Sequence, residues 1–278
     1  MAQKIRNVSY QTATAKKLKR DKYYKVMSLV GFFILWEVLC RLNLSQGWIN
    51  AKFLPMPTGI LASAWGYIKD GTLFEHIGIS LKRVLEGYGI GVLVAVILGS
   101  LIASFRPMDN LFSPILNLFG PIPVMAFLPM FILWFGIGEK SKSILIAYAT
   151  VISMISYVTE GIKNTDPLLI RSSASLGATP LQIFLLVKLP SALPSIVLGM
   201  KAALGAAFGA MVVAEMMGAS TGLGYIIVFS KNWFKMDDMI LAAVLIGLLY
   251  SLLFAVLTVI ENKLFRWRRL SKGGAVEQ

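Results

Sequence analysis

The stretch MILAAVLIGLLYSLLFAVLTVI, from Met239 to Ile260, contains no Asp, Glu, Lys, Arg or His. A helix over it, rising 1.5 Å per residue, crosses a hydrocarbon core of about 30 Å, which takes about 20 apolar residues. Three more uncharged runs lie upstream, at Gly87 to Phe105, Asn110 to Gly138 and Ser143 to Thr159. Two others are interrupted only by Glu37 (Val26 to Cys40) and by Lys201 and Glu215 (Ser191 to Gly218). Unpaired backbone amides in lipid cost several kcal/mol, so a chain crosses as helices or as a closed barrel. These runs lack the alternation of barrel strands. The expected fold is all-α, a polytopic transmembrane helix bundle of about six spans, near 26–42, 87–105, 110–136, 142–160, 191–217 and 238–262.

Composition points the same way. Of 278 residues, 56% are hydrophobic and 15% charged, against roughly 25% charged in soluble domains. The charges cluster between the runs. That divides the chain into a basic segment 1–25, one membrane domain 26–265 and a tail 266–278.

Lys and Arg mark the side retained in the cytoplasm. The first 25 residues hold eight of them against one acid, Asp21, and Lys263, Arg266, Arg268, Arg269 and Lys272 follow the last run. Both termini are therefore expected to be cytoplasmic, which requires an even number of crossings. Lys82 and Arg83 fall on the outer side and are assigned to an interfacial lead-in over residues 73–88.

The net charge of +13 does not indicate nucleic acid, because the basic residues flank apolar spans, where they orient the chain and contact anionic membrane lipid. The first apolar run begins near residue 26 and lacks a small-residue cleavage site, so no signal peptide is expected. A single Cys40 and a single His76 offer no zinc or thiolate cluster, and no H-E-x-x-H or G-x-S-x-G occurs. No catalytic residue and no metal ligand is assigned. Gly136 to Ser141 echoes a phosphate loop, but Glu139 separates glycine from lysine. The chain is expected to bind no nucleotide of its own.

Prolines 114, 121, 123 and 129 lie in one run, so its helix should bend or break near Gly120 to Pro123. Broken backbone at membrane depth is tolerated where it is buried or lines a cavity. Pro121, Pro123 and Met125 therefore either line a path or serve packing alone. Lys201 could attract an anionic solute or pair with a carboxylate. Glu215 could hold an outer gate or reach water. The Gly199, Gly205, Gly209 series is read as a close-packing face.

The connection from 161 to 189 carries ordered punctuation. Asp166 before Pro167 reads as an N-cap with proline in the first turn. Gly177 is a helix stop. Thr179, Pro180 and Gln182 read as a capping box. Two short helices broken at Gly177 are expected, with Leu189 and Pro190 closing the second and opening the next span.

The stretch Arg171-Ser172-Ser173-Ala174-Ser175-Leu176-Gly177, nine residues, then Val187-Lys188-Leu189-Pro190 resembles the cytoplasmic "EAA" signature of permeases from binding-protein-dependent ATP-binding-cassette (ABC) importers. Glycine and Leu-Pro keep the family spacing, while Arg171-Ser172-Ser173 stands where the family writes EAA. Phe53 to Pro57, Pro121 to Pro129, Trp134 to Gly138, Ser191 to Ser195 and Val213 to Gly218 resemble the taurine, aliphatic sulfonate and nitrate branch. The resemblance implies a multi-pass protein of the bacterial plasma (inner) membrane. It further implies a second permease copy, two cytoplasmic ATPases carrying ATP and Mg, and an extracytoplasmic solute-binding protein. Residues Arg171 to Gly177 with Leu189 and Pro190 would be the ATPase-coupling element. Pro121, Pro123, Met125, Lys201 and Glu215 are candidate path residues. An ion-coupled secondary transporter is the alternative, distinguished by midplane acids and two similar halves, neither of which is evident.

Overall fold

A computed structural model describes residues 23–24, 27–28 and 30–265. The rest of the basic segment 1–25 and the tail 266–278 lie outside the described residues, and with them, apart from Lys263, the basic residues on which the placement of the termini rests. A helix over residues 30–46 (α1) opens the described chain. After it come α2 (Pro57–Lys69), α3 (Thr72–Ser104), α4 (Arg106–Phe119), α5 (Leu128–Phe135) and α6 (Glu139–Lys163). The series continues with α7 (Pro167–Ser175), α8 (Pro180–Ile183), α9 (Leu189–Gly218), α10 (Leu223–Asn232) and α11 (Met236–Leu264).

Among the described residues four helices are long and apolar enough to cross a membrane: α3, α6, the continuous helix Pro180–Gly218, and α11. The pair α4 and α5, bent by 95°, counts as a fifth if it forms one broken span. The break falls where the prolines put it. The chain leaves the α-helical path after Gly120, a 3-10 turn covers Val124–Phe127, and α5 restarts with Pro129 in its first turn.

The core is a layer of α3, α6 and α9. Down α3, Gly87, Gly91, Ala95 and Gly99 recur every four residues and lie on one face. A Cβ on Gly87 would stand 2.6 Å from Ile146 Cβ, one on Gly91 2.5 Å from Thr150 Cβ, and one on Gly99 2.8 Å from Val158 Cβ. Backbone approach of this kind is how helices gain contact where lipid supplies no hydrophobic drive. Across α6, Gly161 meets Ser195 and Gly199 meets Tyr157. Tyr88 donates its hydroxyl to the carbonyl of Met200 at 2.8 Å, joining α3 to α9. Gly91→Val is therefore expected to force α3 and α6 apart at a cost of about 1–3 kcal/mol. Gly89→Ala, with nothing within 4 Å, should be neutral; thermal unfolding of the purified protein in detergent compares the two.

Three expectations are refined. Residues 73–88 are continuous with the span that follows, because α3 runs unbroken for 33 residues, about 50 Å at the helical rise. Lys82 stays exposed, while Arg83, one turn before Gly87 on the glycine row, turns inward and is buried. Gly205 and Gly209 are exposed among the described residues: Tyr250 of α11 stands 4.0 Å from a Cβ on the first, and nothing lies within 4 Å of one on the second. Pro190 does not interrupt the helix. A π turn over Phe184–Lys188, closed by the Leu189 N–H on the Phe184 carbonyl, widens the coil just upstream. It makes room for a ring that would otherwise meet the preceding turn.

Candidate functional site

At one end of the bundle, α7 and α8 form a small bracket held by local bonds. The Asp166 carboxylate accepts from the Leu168 N–H at 2.8 Å. At the far end of α7, Gly177 takes φ +83°. Its N–H donates to Ala174 O at 3.0 Å, and the Ala178 N–H donates to Ser173 O at 3.1 Å. Those two bonds are a Schellman stop. The Thr179 hydroxyl accepts from the Gln182 N–H, and the Gln182 side chain accepts from the Thr179 N–H, completing a capping box. Three caps in succession fix the angle between two short helices without help from the membrane layer.

The bracket buries none of its own residues. Arg171, Ser172, Ala174, Ser175 and Gly177 are exposed, and the Ser173 hydroxyl donates back to Leu169 O at 2.8 Å. Leu176 is 89% exposed, and Leu168, Leu169 and Leu181 of the same bracket are exposed too. Exposed apolar side chains gathered on one element are of the kind that mark interaction sites. Leu189 packs partly into the core, while Pro190 faces outward. Lys163 anchors the start of the bracket to α4 through Asp109 at 2.6 Å.

At the opposite end, charged side chains from three helices converge. Arg83 is 3% exposed. Its Nε and Nη2 donate to the two oxygens of Glu139 at 2.6 and 2.7 Å. Nη1 donates to Glu215 at 2.8 Å and to the carbonyl of Thr221 at 2.7 Å. Buried Lys142 completes the group on Glu139 at 2.8 Å. Glu215 is 1% exposed and also accepts from the Ser80 hydroxyl and the Gly224 N–H. Ser80 accepts from the Leu223 N–H, and His76 Nδ1 accepts from the Gly222 N–H. Two acids thus face two bases, and every lone pair of Glu215 that the bonds reach is used. The network clamps α3, α6 and α9 to the 219–224 segment.

The candidate path residues are spread apart. Pro121, Pro123 and Met125 lie exposed at the break between α4 and α5. Lys201 is tied to Glu261 of α11 at 2.5 Å and lies 5.1 Å from the Phe254 ring centroid. Of the two sequence readings for this lysine, the structure has the carboxylate pair. Glu215 does not reach water; it sits inside the clamp.

The chain's sequence matches the family described as binding-protein-dependent transport system inner membrane component over residues 91–269. The chain belongs to this family. It is 32% identical over 257 residues to the taurine transport system permease protein TauC of Escherichia coli (strain K12), covering 90% of this chain and 91% of that one. It is also 32% identical over 238 residues to the protein of the same strain named SsuC, for aliphatic sulfonates transport permease, covering 86% and 89%. In fold it is similar to a chain of the inward-facing MetNI methionine ABC transporter, with TM-score 0.63, 22% identity and coverage of 70% of this chain and 97% of that one. The protein is accordingly a multi-pass inner-membrane permease subunit of an ABC importer.

In this permease the clamp is what sequence reading missed. The sequence places Arg83 in an interfacial lead-in and gives Glu139 no role beyond interrupting the phosphate-loop echo. One signal was present: Arg83 continues the four-residue row of Gly87, Gly91, Ala95 and Gly99, and a charge on the face that packs another helix must meet a countercharge there. The echo itself is spent on starting α6, with the Ser141 hydroxyl donating to Gly138 O at 2.9 Å. Among the described residues no three metal-ligating side chains converge.

Proposed function

We propose that this permease works as a pair of copies. Two cytoplasmic ATPases, which hold ATP and Mg, seat the α7–α8 bracket in a cleft and drive inward and outward states. A solute-binding protein delivers a small sulfonate-bearing solute, an alkylsulfonate anion or the zwitterion taurine, at the clamped end. The observation that carries the reading is the bracket: a stop at Gly177 presents Leu176 almost wholly to solvent on a helix whose angle is set by its own caps. A rigid lever with an apolar tip suits a membrane bundle that takes its motion from another subunit. The exposed Gly205 and Gly209 face of α9 supports a second copy, because small residues admit close approach of another helix. The names of TauC and SsuC support the solute class.

The test is reconstitution. Co-expressed with its ATPase, the chain should purify as a complex of two permeases and two ATPases. In proteoliposomes supplied with the binding protein it should take up taurine or an alkylsulfonate only with ATP. Uptake by the permease alone, driven by an ion gradient, would overturn the reading.

A further inference from the structure

Away from α7, the segment preceding α2, the first turns of α2 and the turn between α10 and α11 enclose an open cavity of about 850 Å³. Its walls carry both signs of charge and three aromatic rings. Lys52 and Lys235 are the cations, Asp237 and Asp238 the acids, and Phe53, Trp233 and Phe234 supply the rings. Among the described residues neither lysine forms an ion pair, and the Asp237 carboxylate accepts no hydrogen bond. Its neighbour Asp238 is differently placed, accepting from the Ser63 hydroxyl at 2.5 Å and the Tyr67 hydroxyl at 3.4 Å.

Two features hold the free carboxylate and the rings where they are. A Cβ on Gly59 would stand 2.8 Å from Asp237 Oδ1, so α2 comes this close only because that position lacks a side chain. Phe234 has φ +55°, the one positive value on a non-glycine residue among those described, and its ring meets Phe53 edge to face with centroids 6.1 Å apart. A bulky residue adopts that backbone only where its surroundings over-determine it.

A simple anion entering this space would meet Asp237, and a simple cation would meet the lysines. A short zwitterion meets complementary partners at both ends. Its ammonium takes a carboxylate and aromatic faces, and its anionic oxygens take the compact charge of a lysine. We propose that this cavity binds a short aminoalkyl zwitterion, with the ammonium against Asp237 and the rings and a sulfonate or phosphate against Lys52 and Lys235. Two molecules share that chemistry: free taurine, and the ethanolamine phosphate head of phosphatidylethanolamine. Exposed Trp48 and Trp233 are side chains of the kind that sit at headgroup level. Only the choice of taurine as a probe rests on the importer reading.

The experiment uses the full chain and the variants Asp237→Asn and Lys52→Gln/Lys235→Gln. Taurine binding is titrated calorimetrically in lipid-free detergent. Retention of phosphatidylethanolamine over phosphatidylglycerol is read by native mass spectrometry after purification from a mixed-lipid nanodisc. The wild type should bind taurine, or retain phosphatidylethanolamine preferentially, and each variant should lower that affinity or preference at least fivefold. Taurine binding without lipid assigns the cavity to a free solute, and lipid preference alone assigns it to a headgroup. Neither activity in the wild type, or variants equal to it, overturns the proposal. The lysine variant lies in a single 3-10 turn and in the turn before α11, so it decides the matter if Asp237→Asn fails to fold. Uptake and ATPase association are not read, so failure here leaves the importer reading standing.

Discussion

Replacing Arg83 with Leu is expected to be the most damaging single change outside the glycine rows. It removes the guanidinium that spans Glu139, Glu215 and the Thr221 carbonyl. Glu139 keeps Lys142 and access to water. Glu215, 1% exposed, keeps only a hydroxyl and a backbone amide against its charge. Breaking a buried pair by removing one partner costs about 3–5 kcal/mol, because the other charge stays uncompensated. Arg83→Lys should rescue little, since one ammonium cannot reproduce a fork that serves two carboxylates and a carbonyl. Glu215→Gln added to Arg83→Leu should recover part of the loss, with a coupling of about 0.5–3 kcal/mol. The measurement is thermal unfolding in detergent for the four proteins of the cycle. Additive single changes would mean that the clamp contributes nothing as a unit.

The second large effect is functional. Gly177→Val should leave the membrane layer intact, because nothing lies within 4 Å of the added Cβ. It acts instead on the backbone, which needs φ +83°. Left-handed backbone costs an L-residue about 1–2 kcal/mol, more when it is β-branched. The Schellman bonds should open and the angle between α7 and α8 should relax. Leu176→Asp tests the tip of the same bracket by chemistry, not conformation, since docking a leucine is worth about 1.5–3 kcal/mol. Either change should lower ATPase association and ATP-driven uptake by about tenfold or more, at 1.4 kcal/mol per decade. Thermal unfolding should stay at the wild-type midpoint. Gly177→Asn, which tolerates the left-handed region, should be milder. Wild-type uptake in both Gly177→Val and Leu176→Asp would make this turn an ordinary loop.

What the sequence determined by itself was local or compositional. Long uncharged runs require helices wherever water is excluded, and the proline cluster near Gly120 interrupts one wherever it lies. The caps at Asp166, Gly177 and Thr179 are satisfied by partners within five residues along the chain, so their spacing alone predicts the bracket. Only the tertiary structure decided the fate of each charge in the membrane layer. Lys201 finds Glu261 on α11, and Arg83 finds Glu139 and Glu215 on α6 and α9. Nothing in a window of neighbouring residues says which distant helix will bring a countercharge, because that follows from which faces pack. The same holds for Pro190, whose effect on the helix depends on a π turn upstream, and for Gly209, which nothing among the described residues covers. A cap is closed by the residues beside it, whereas a buried charge is neutralised only after three helices have met.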